Sequence, residues 1–172
     1  QQSAAVGSRA VHLQLAGRFE EALPLAVEAG LLAKQTGALI EASELLGRAV
    51  EMAQRLGDPS LTRLLIELGE TRTWLGDADA EGVYRRVAQR APSDEHRARV
   101  SHLMADHLLR RGEYHRAGRW IRRGLAAAEQ MGVAGEYWRG MLLLDESWRQ
   151  SDFGRQTRSV QLGMAALEIA EQ

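Results

Sequence analysis

Apolar positions recur along this chain at spacings of three and four, so the pattern predicts helices rather than strands. Leu61, Leu64, Leu65 and Leu68 form one such stripe, and Leu103, Leu108 and Leu109 contribute to another. Strict alternation never lasts, which argues against a parallel-sheet fold. The pattern predicts helices over 3–16, 19–36, 38–56, 60–75, 78–91, 94–111, 114–131, 134–150 and 154–171. The short connectors between them force neighbouring helices antiparallel. Several boundaries have a local cause. Asp58 offers an N-cap acceptor before Pro59, which needs no donor at the first helical position, and Pro92 stops one helix before Ser93 caps the next. Gly17, Gly57, Gly76, Gly112 and Gly132 stand where a helix ends in a left-handed residue, a conformation glycine takes without steric penalty.

A second regularity overlies the first. A turn signal recurs at nearly even spacing, at Gly37, Gly76, Gly112 and Ser151, so that one helix pair separates each marker from the next. Twelve positions after each marker stands a small residue: Ala49, Ala88, Gly124 and Gly163. Seven positions before the markers stand Gly30, Gly69, Ala105 and Leu144, three of them small. In a helical chain this period is the signature of stacked helix pairs, with small residues where one backbone approaches another. The expected fold is therefore all-α: an α-α superhelix, or solenoid, of about nine antiparallel helices, forming one domain over 1–172. Nine is an odd number, and the chain opens mid-pattern without an initiator Met, so the expectation is a piece of a longer solenoid.

Composition agrees. The 172 residues are 45% apolar, enough for a continuous core, and are rich in helix formers. No apolar run reaches a membrane-spanning length and no charged-then-apolar leader opens the chain, so a cytoplasmic protein without a membrane partner is expected. Cysteine is absent, which excludes disulfides and thiolate chemistry. Of the 22 basic residues only Lys34 is lysine, a bias that a GC-rich coding sequence would produce by itself.

Chemistry-bearing motifs are missing. No Gly-x-x-x-x-Gly-Lys-Ser/Thr loop cradles phosphates and no Gly-x-Ser-x-Gly elbow presents a nucleophile. His102 and His107 are five apart, not the four that would set two metal ligands on one helix face. The adjacent carboxylates Glu20 and Glu21 point to different faces. Neither an enzyme, a metal site nor a cofactor is expected. The densest charge feature is Arg110, Arg111, Arg116, Arg119, Arg122 and Arg123, interleaved with Tyr114, His115 and Trp120. It is either a docking patch for an acidic partner or nucleic acid, or an exposed helix made soluble by arginine. With net charge −1 and Glu113 and Glu129 close by, the second reading is favoured and nucleic acid is a minor partner hypothesis.

Certain segments carry a family resemblance. Leu75-Gly76-Asp77, Arg111-Gly112-Glu113-Tyr114 with Ala117, and Gly17-Arg18-Phe19-Glu20-Glu21-Ala22 resemble the mid-repeat turn of tetratricopeptide (TPR) repeats, and Leu68-Gly69 fits the Leu-Gly pair that precedes it. Ser151 stands where the family has the turn glycine, and Gly17 and Gly37, a single helix apart, cannot both be mid-repeat turns. Repeats longer than the family's typical unit resemble those of large bacterial ATP-binding LuxR-type regulators and related multidomain signalling proteins.

The resemblance implies a protein–protein interaction scaffold whose first helices line a concave groove at the second, fifth, ninth, twelfth and thirteenth positions of each unit. With the turn marker at position fifteen, these include Arg63, Glu70, Thr73 and Trp74, then Arg99, His102, Asp106 and Arg110, and last Trp138, Asp145, Trp148 and Arg149. Trp and Arg among carboxylates are the mixture expected of peptide anchors, although each Trp would serve equally as filling between helix layers. The expected partner is a protein or peptide, the alternative a small-molecule effector sensed in the groove. Exposed solenoid ends would also permit a homodimer.

Overall fold

The computed structural model describes residues 2–91 and 93–171, with side chains from residue 5 onward, so the break expected at Pro92 lies outside the described residues. The helices are α1 (Gln2–Leu15), α2 (Phe19–Gln35), α3 (Leu39–Leu56), α4 (Leu61–Trp74), α5 (Ala80–Arg90), α6 (Asp94–Arg110), α7 (Tyr114–Gln130), α8 (Glu136–Asp152) and α9 (Gln156–Ala170). A 3₁₀ turn, Gly132–Gly135, leads into α8. No strand occurs among the described residues.

The turns share one construction. Gly17, Gly37, Gly57, Gly76, Gly112, Gly132 and Gly154 all have positive φ. Around six of them the amide just past the glycine reaches back to a carbonyl in the last turn of the helix, Arg18 to Leu13, Ala38 to Ala33, Asp58 to Ala53, Asp77 to Arg72, Glu113 to Leu108 and Arg155 to Gln150, each at 2.9 Å. This is the Schellman closure, which consumes carbonyls the helix end leaves open. The N-termini vary more. Ser93 Oγ accepts the His96 amide at 3.3 Å and caps α6 as expected. Asp58 instead accepts the Ser60 amide at 2.8 Å, so it closes the turn before α4 rather than capping the helix itself.

One expected turn moves. Ser151 lies inside α8, and the left-handed residue is Gly154, with φ +72°. The glycine takes the turn because it alone there avoids the Cβ penalty of that conformation. Measured from Gly154, the residue twelve places on is Ala166, 4% exposed, and the residue seven places back is Ser147. All four repeats are then small at both positions. Gly163, counted from Ser151, meets nothing closer than Ser147 Oγ at 3.7 Å from an ideal Cβ, an ordinary contact.

The chain forms two compact units, 1–87 and 88–172. In the first, α1 packs on α2, α2 on α3 and α3 on α4, and α2 also touches α4. In the second, α6 packs on α7, α7 on α8 and α8 on α9, and α6 also touches α8. Within each unit the first helix of one pair thus meets the first helix of the next, which makes α2–α3, α6–α7 and α8–α9 the pairs and Gly37 a mid-pair turn. Glycines admit the close contacts. A Cβ on Gly69 would sit 2.4 Å from Tyr84 Cε1, and one on Gly124 would sit 2.8 Å from both Leu142 Cδ1 and Ser101 Cβ. Tyr84, Leu65, Met104, Ile121 and Leu142 are among the fully buried side chains of the two units.

Candidate functional site

The α6–α8 contact places an ionic and aromatic cluster on the second unit. His102 Nδ1 on α6 and Asp145 Oδ2 on α8 are 2.8 Å apart, and both side chains are largely buried. Further along α6, Arg110 Nε donates to both carboxylate oxygens of Asp106 at 2.9 and 3.0 Å. The Arg110 guanidinium lies 5.9 Å from the centre of the Trp148 ring on α8, within cation–π range. Trp148 is 40% exposed and Leu144, one turn earlier on α8, is 49% exposed. The cluster thus sets the buried His102–Asp145 pair beside the exposed Arg110, Leu144 and Trp148 side chains.

Burial pushes the Asp145 carboxyl above the usual aspartate range and Asp106 pushes it the same way, against the His102 bond and the charges of His102 and Arg110. The folded protein therefore holds this proton more tightly than the unfolded chain does. Its contribution to stability is complete below the ordinary aspartate pKa, about 4, and is lost as pH rises through the raised folded value. Thermal unfolding of Asp145→Asn against pH is the check: the variant is expected to gain on the native protein as pH rises from about 4. Glu146 has the opposite sign. Its burial is outweighed by hydrogen bonds from Arg149 and Gln150, so its pKa falls and its contribution is lost as pH falls.

Other expected positions lie at the border of this cluster or outside it. Trp138 packs against Ala98, Ala127 and Ala128, and its ring centre lies 6.4 Å from that of His102, at the buried border of the cluster. Arg149 bonds Glu146 at 2.5 Å and lies against Gly118 of α7, where a Cβ would sit 3.2 Å from the guanidinium carbon. The displaced turn explains this. Counted from Gly154, the groove positions of the last pair fall on Met141, Leu144, Trp148, Ser151 and Asp152. Of Trp138, Asp145, Trp148 and Arg149, Trp148 alone stays in the set. Arg99 is half-buried on α6.

The arginine run divides by helix face. Arg110 turns to Asp106, Arg111 bonds Glu113 at 3.0 Å, and Arg116 also bonds Glu113. Arg123 covers the Trp120 ring at 5.2 Å, and Arg119 and Arg122 are exposed. The Glu113 carboxyl is held below its usual range by Arg111 and then Arg116.

On the first unit, Arg63 is exposed on α4 and Thr73 is buried, its Oγ1 3.1 Å from the Tyr84 hydroxyl. Glu70 accepts from Lys34 Nζ of α2 at 2.7 Å, and so does Glu67. The same ammonium lies 5.0 Å from the ring of Trp74, which is 56% exposed. Burial alone would lower the Lys34 pKa, but the bonds to Glu67 and Glu70 outweigh it and the value rises. Lys34 and Glu67 escaped sequence reasoning. The signal was present in the uniqueness of the lysine, which composition alone explains away.

No family model matches the chain, and no curated protein matches its sequence. Its fold, however, is shared over nearly its whole length with solved structures of MamA. MamA MSR-1 C2 superimposes with a TM-score of 0.62 at 18% identity, covering 99% of this chain and 97% of that one. MamA AMB-1 P212121 gives 0.64 at 19%, covering 96% and 98%. The fold is a TPR-type helical repeat. Likeness at this identity concerns the all-α helical-repeat superhelix and leaves the side chains of the α6–α8 cluster specific to this chain. No helix among the described residues is long and apolar enough to cross a membrane.

Proposed function

We propose that the chain is a non-catalytic scaffold that binds a segment of another protein on the face formed by the first helices of its pairs. The observation that carries this reading is the α6–α8 cluster, where Arg110 is paired with Asp106 and stacked over exposed Trp148, with His102 and Asp145 bonded behind. Exposed Trp and Arg are the residue types that dominate binding energy at interfaces. Arg63, Glu70 and Trp74 on α4 are proposed as contacts of the first unit taken by itself, within an interaction domain spanning 1–172. Arg99→Ala, Asp106→Ala and Arg110→Ala combined are expected to weaken partner binding by about 2 kcal/mol, roughly thirtyfold. Titration calorimetry with the partner identified by cross-linking is the check. Unchanged affinity would sink the reading.

The broader setting proposed is a cytoplasmic bacterial regulator of the LuxR type, supported by the long repeat and the TPR-like turns; loss of regulated transcription on deleting the gene tests it. One observation favours a second reading, effector sensing. A cleft of about 560 Å³ between α7 and α8, lined by Leu125, Glu129, Glu136, Arg139 and Leu143, has the volume of a small-ligand site. A melting temperature that climbs with the concentration of one small molecule, and not with a peptide, would favour that reading over the scaffold.

A further inference from the structure

The first unit carries an apolar edge that the α6–α8 reading leaves unused. Ile40 is 70% exposed, near the start of α3, and Leu75 is 38% exposed, at the end of α4. Both line one cleft of about 560 Å³ beside the Gly37 turn, and exposed Trp74 adjoins Leu75 in the chain. Two large exposed apolar side chains facing one cleft at the ends of adjacent helix pairs exceed the scattered exposure normal for a protein surface. The charges lining the cleft have one sign. Glu41 and Glu44 line the cleft and no basic side chain does among its lining residues. The cation beside Trp74 is Lys34, and its charge is more than matched by Glu67 and Glu70. The whole unit is acidic, with twelve carboxylates against nine basic residues over 1–87.

We propose that this edge docks a segment of a partner protein that presents a large apolar side chain flanked by lysine or arginine. The apolar side chain enters between Ile40 and Leu75, and its cationic neighbours meet Glu41 and Glu44. Charge complementarity selects this occupant. An acidic segment would place its carboxylates against Glu41 and Glu44, and a purely polar one would leave the Ile40–Leu75 cleft unfilled. The proposal stands on residues 34–75 and needs nothing from α6 or α8.

The test uses the full chain and a fluorescein-labelled dodecapeptide of leucine and lysine, with a leucine–glutamate counterpart, followed by fluorescence anisotropy. The lysine peptide is expected to bind at least tenfold more tightly than the glutamate peptide. Ile40→Glu, and separately Glu41→Lys with Glu44→Lys, are expected to weaken it at least tenfold, whereas Arg158→Ala, at an exposed position of α9, leaves it unchanged. Amide shifts on titrating the unsubstituted protein give a readout that does not depend on variant folding. They are expected to cluster at residues 37–44 and 74–75. Equal affinity for the two peptides, indifference to the α3 substitutions, or shifts confined elsewhere would each overturn the proposal.

Discussion

Tyr84→Ala is expected to lower the unfolding free energy by about 3–5 kcal/mol, the usual loss for a fully buried aromatic side chain. The ring is 1% exposed and lies against the bare backbone of Gly69, and its hydroxyl meets Thr73 Oγ1 at 3.1 Å. The converse substitution tests the same contact from the other side. In Gly69→Ala the new methyl would lie 2.4 Å from Tyr84 Cε1, so ring or helix must move, at about 1–3 kcal/mol. Because both side chains occupy one space, the two effects should not add. Gly69→Ala with Tyr84→Leu is expected to be more stable than the sum of the single losses predicts, by about 1 kcal/mol. Tyr84→Phe separates the hydroxyl from the ring: about 1 kcal/mol, for the loss of the Thr73–Tyr84 hydrogen bond. Chemical denaturation measures them all. Additive losses would mean that Gly69 and Tyr84 do not touch.

The second unit has a counterpart of similar size. Leu142→Ala is expected to cost about 2–5 kcal/mol, because this fully buried side chain closes the space above Gly124 and beside Ser101. The loss grows with the volume left empty. Gly124→Ala acts in the opposite sense, pressing a methyl to within 2.8 Å of Leu142 Cδ1 and Ser101 Cβ, neither of which can leave the layer between α6, α7 and α8. If Gly124→Ala melts like the native protein, the small residue there reflects helix composition and not close approach.

These two contacts also show what could be read from the chain. Gly69 and Gly124 were legible because a repeat demands a small residue wherever helices cross closely, and that demand recurs at a fixed distance from each turn. Turns were legible for a related reason: glycine at Gly17, Gly37, Gly57, Gly76 and Gly112 accepts the left-handed conformation that the Schellman closure needs. The last pair misled because Ser151 preserved the average spacing while Gly154, just beyond it, took the strain-free turn. That displacement is most of a helical turn, enough to move a residue between a surface and a layer. Trp138 and Arg149 therefore went to packing, whereas Trp148 stayed exposed under Arg110. Lys34 was illegible for a different reason. Its partners Glu67 and Glu70 lie 33 and 36 residues away, and no local rule connects them.

The claim that binding uses the first-helix face, and not the arginine-bearing face of α7, is tested most directly by site-specific photocross-linking. Benzoylphenylalanine is placed at Trp148 in one protein and at Arg119 in another, and each is irradiated with the partner bound. Cross-links from position 148 and none from 119 are the predicted result. Cross-links from 119 alone would contradict the account and assign the partner to the exposed arginines of α7.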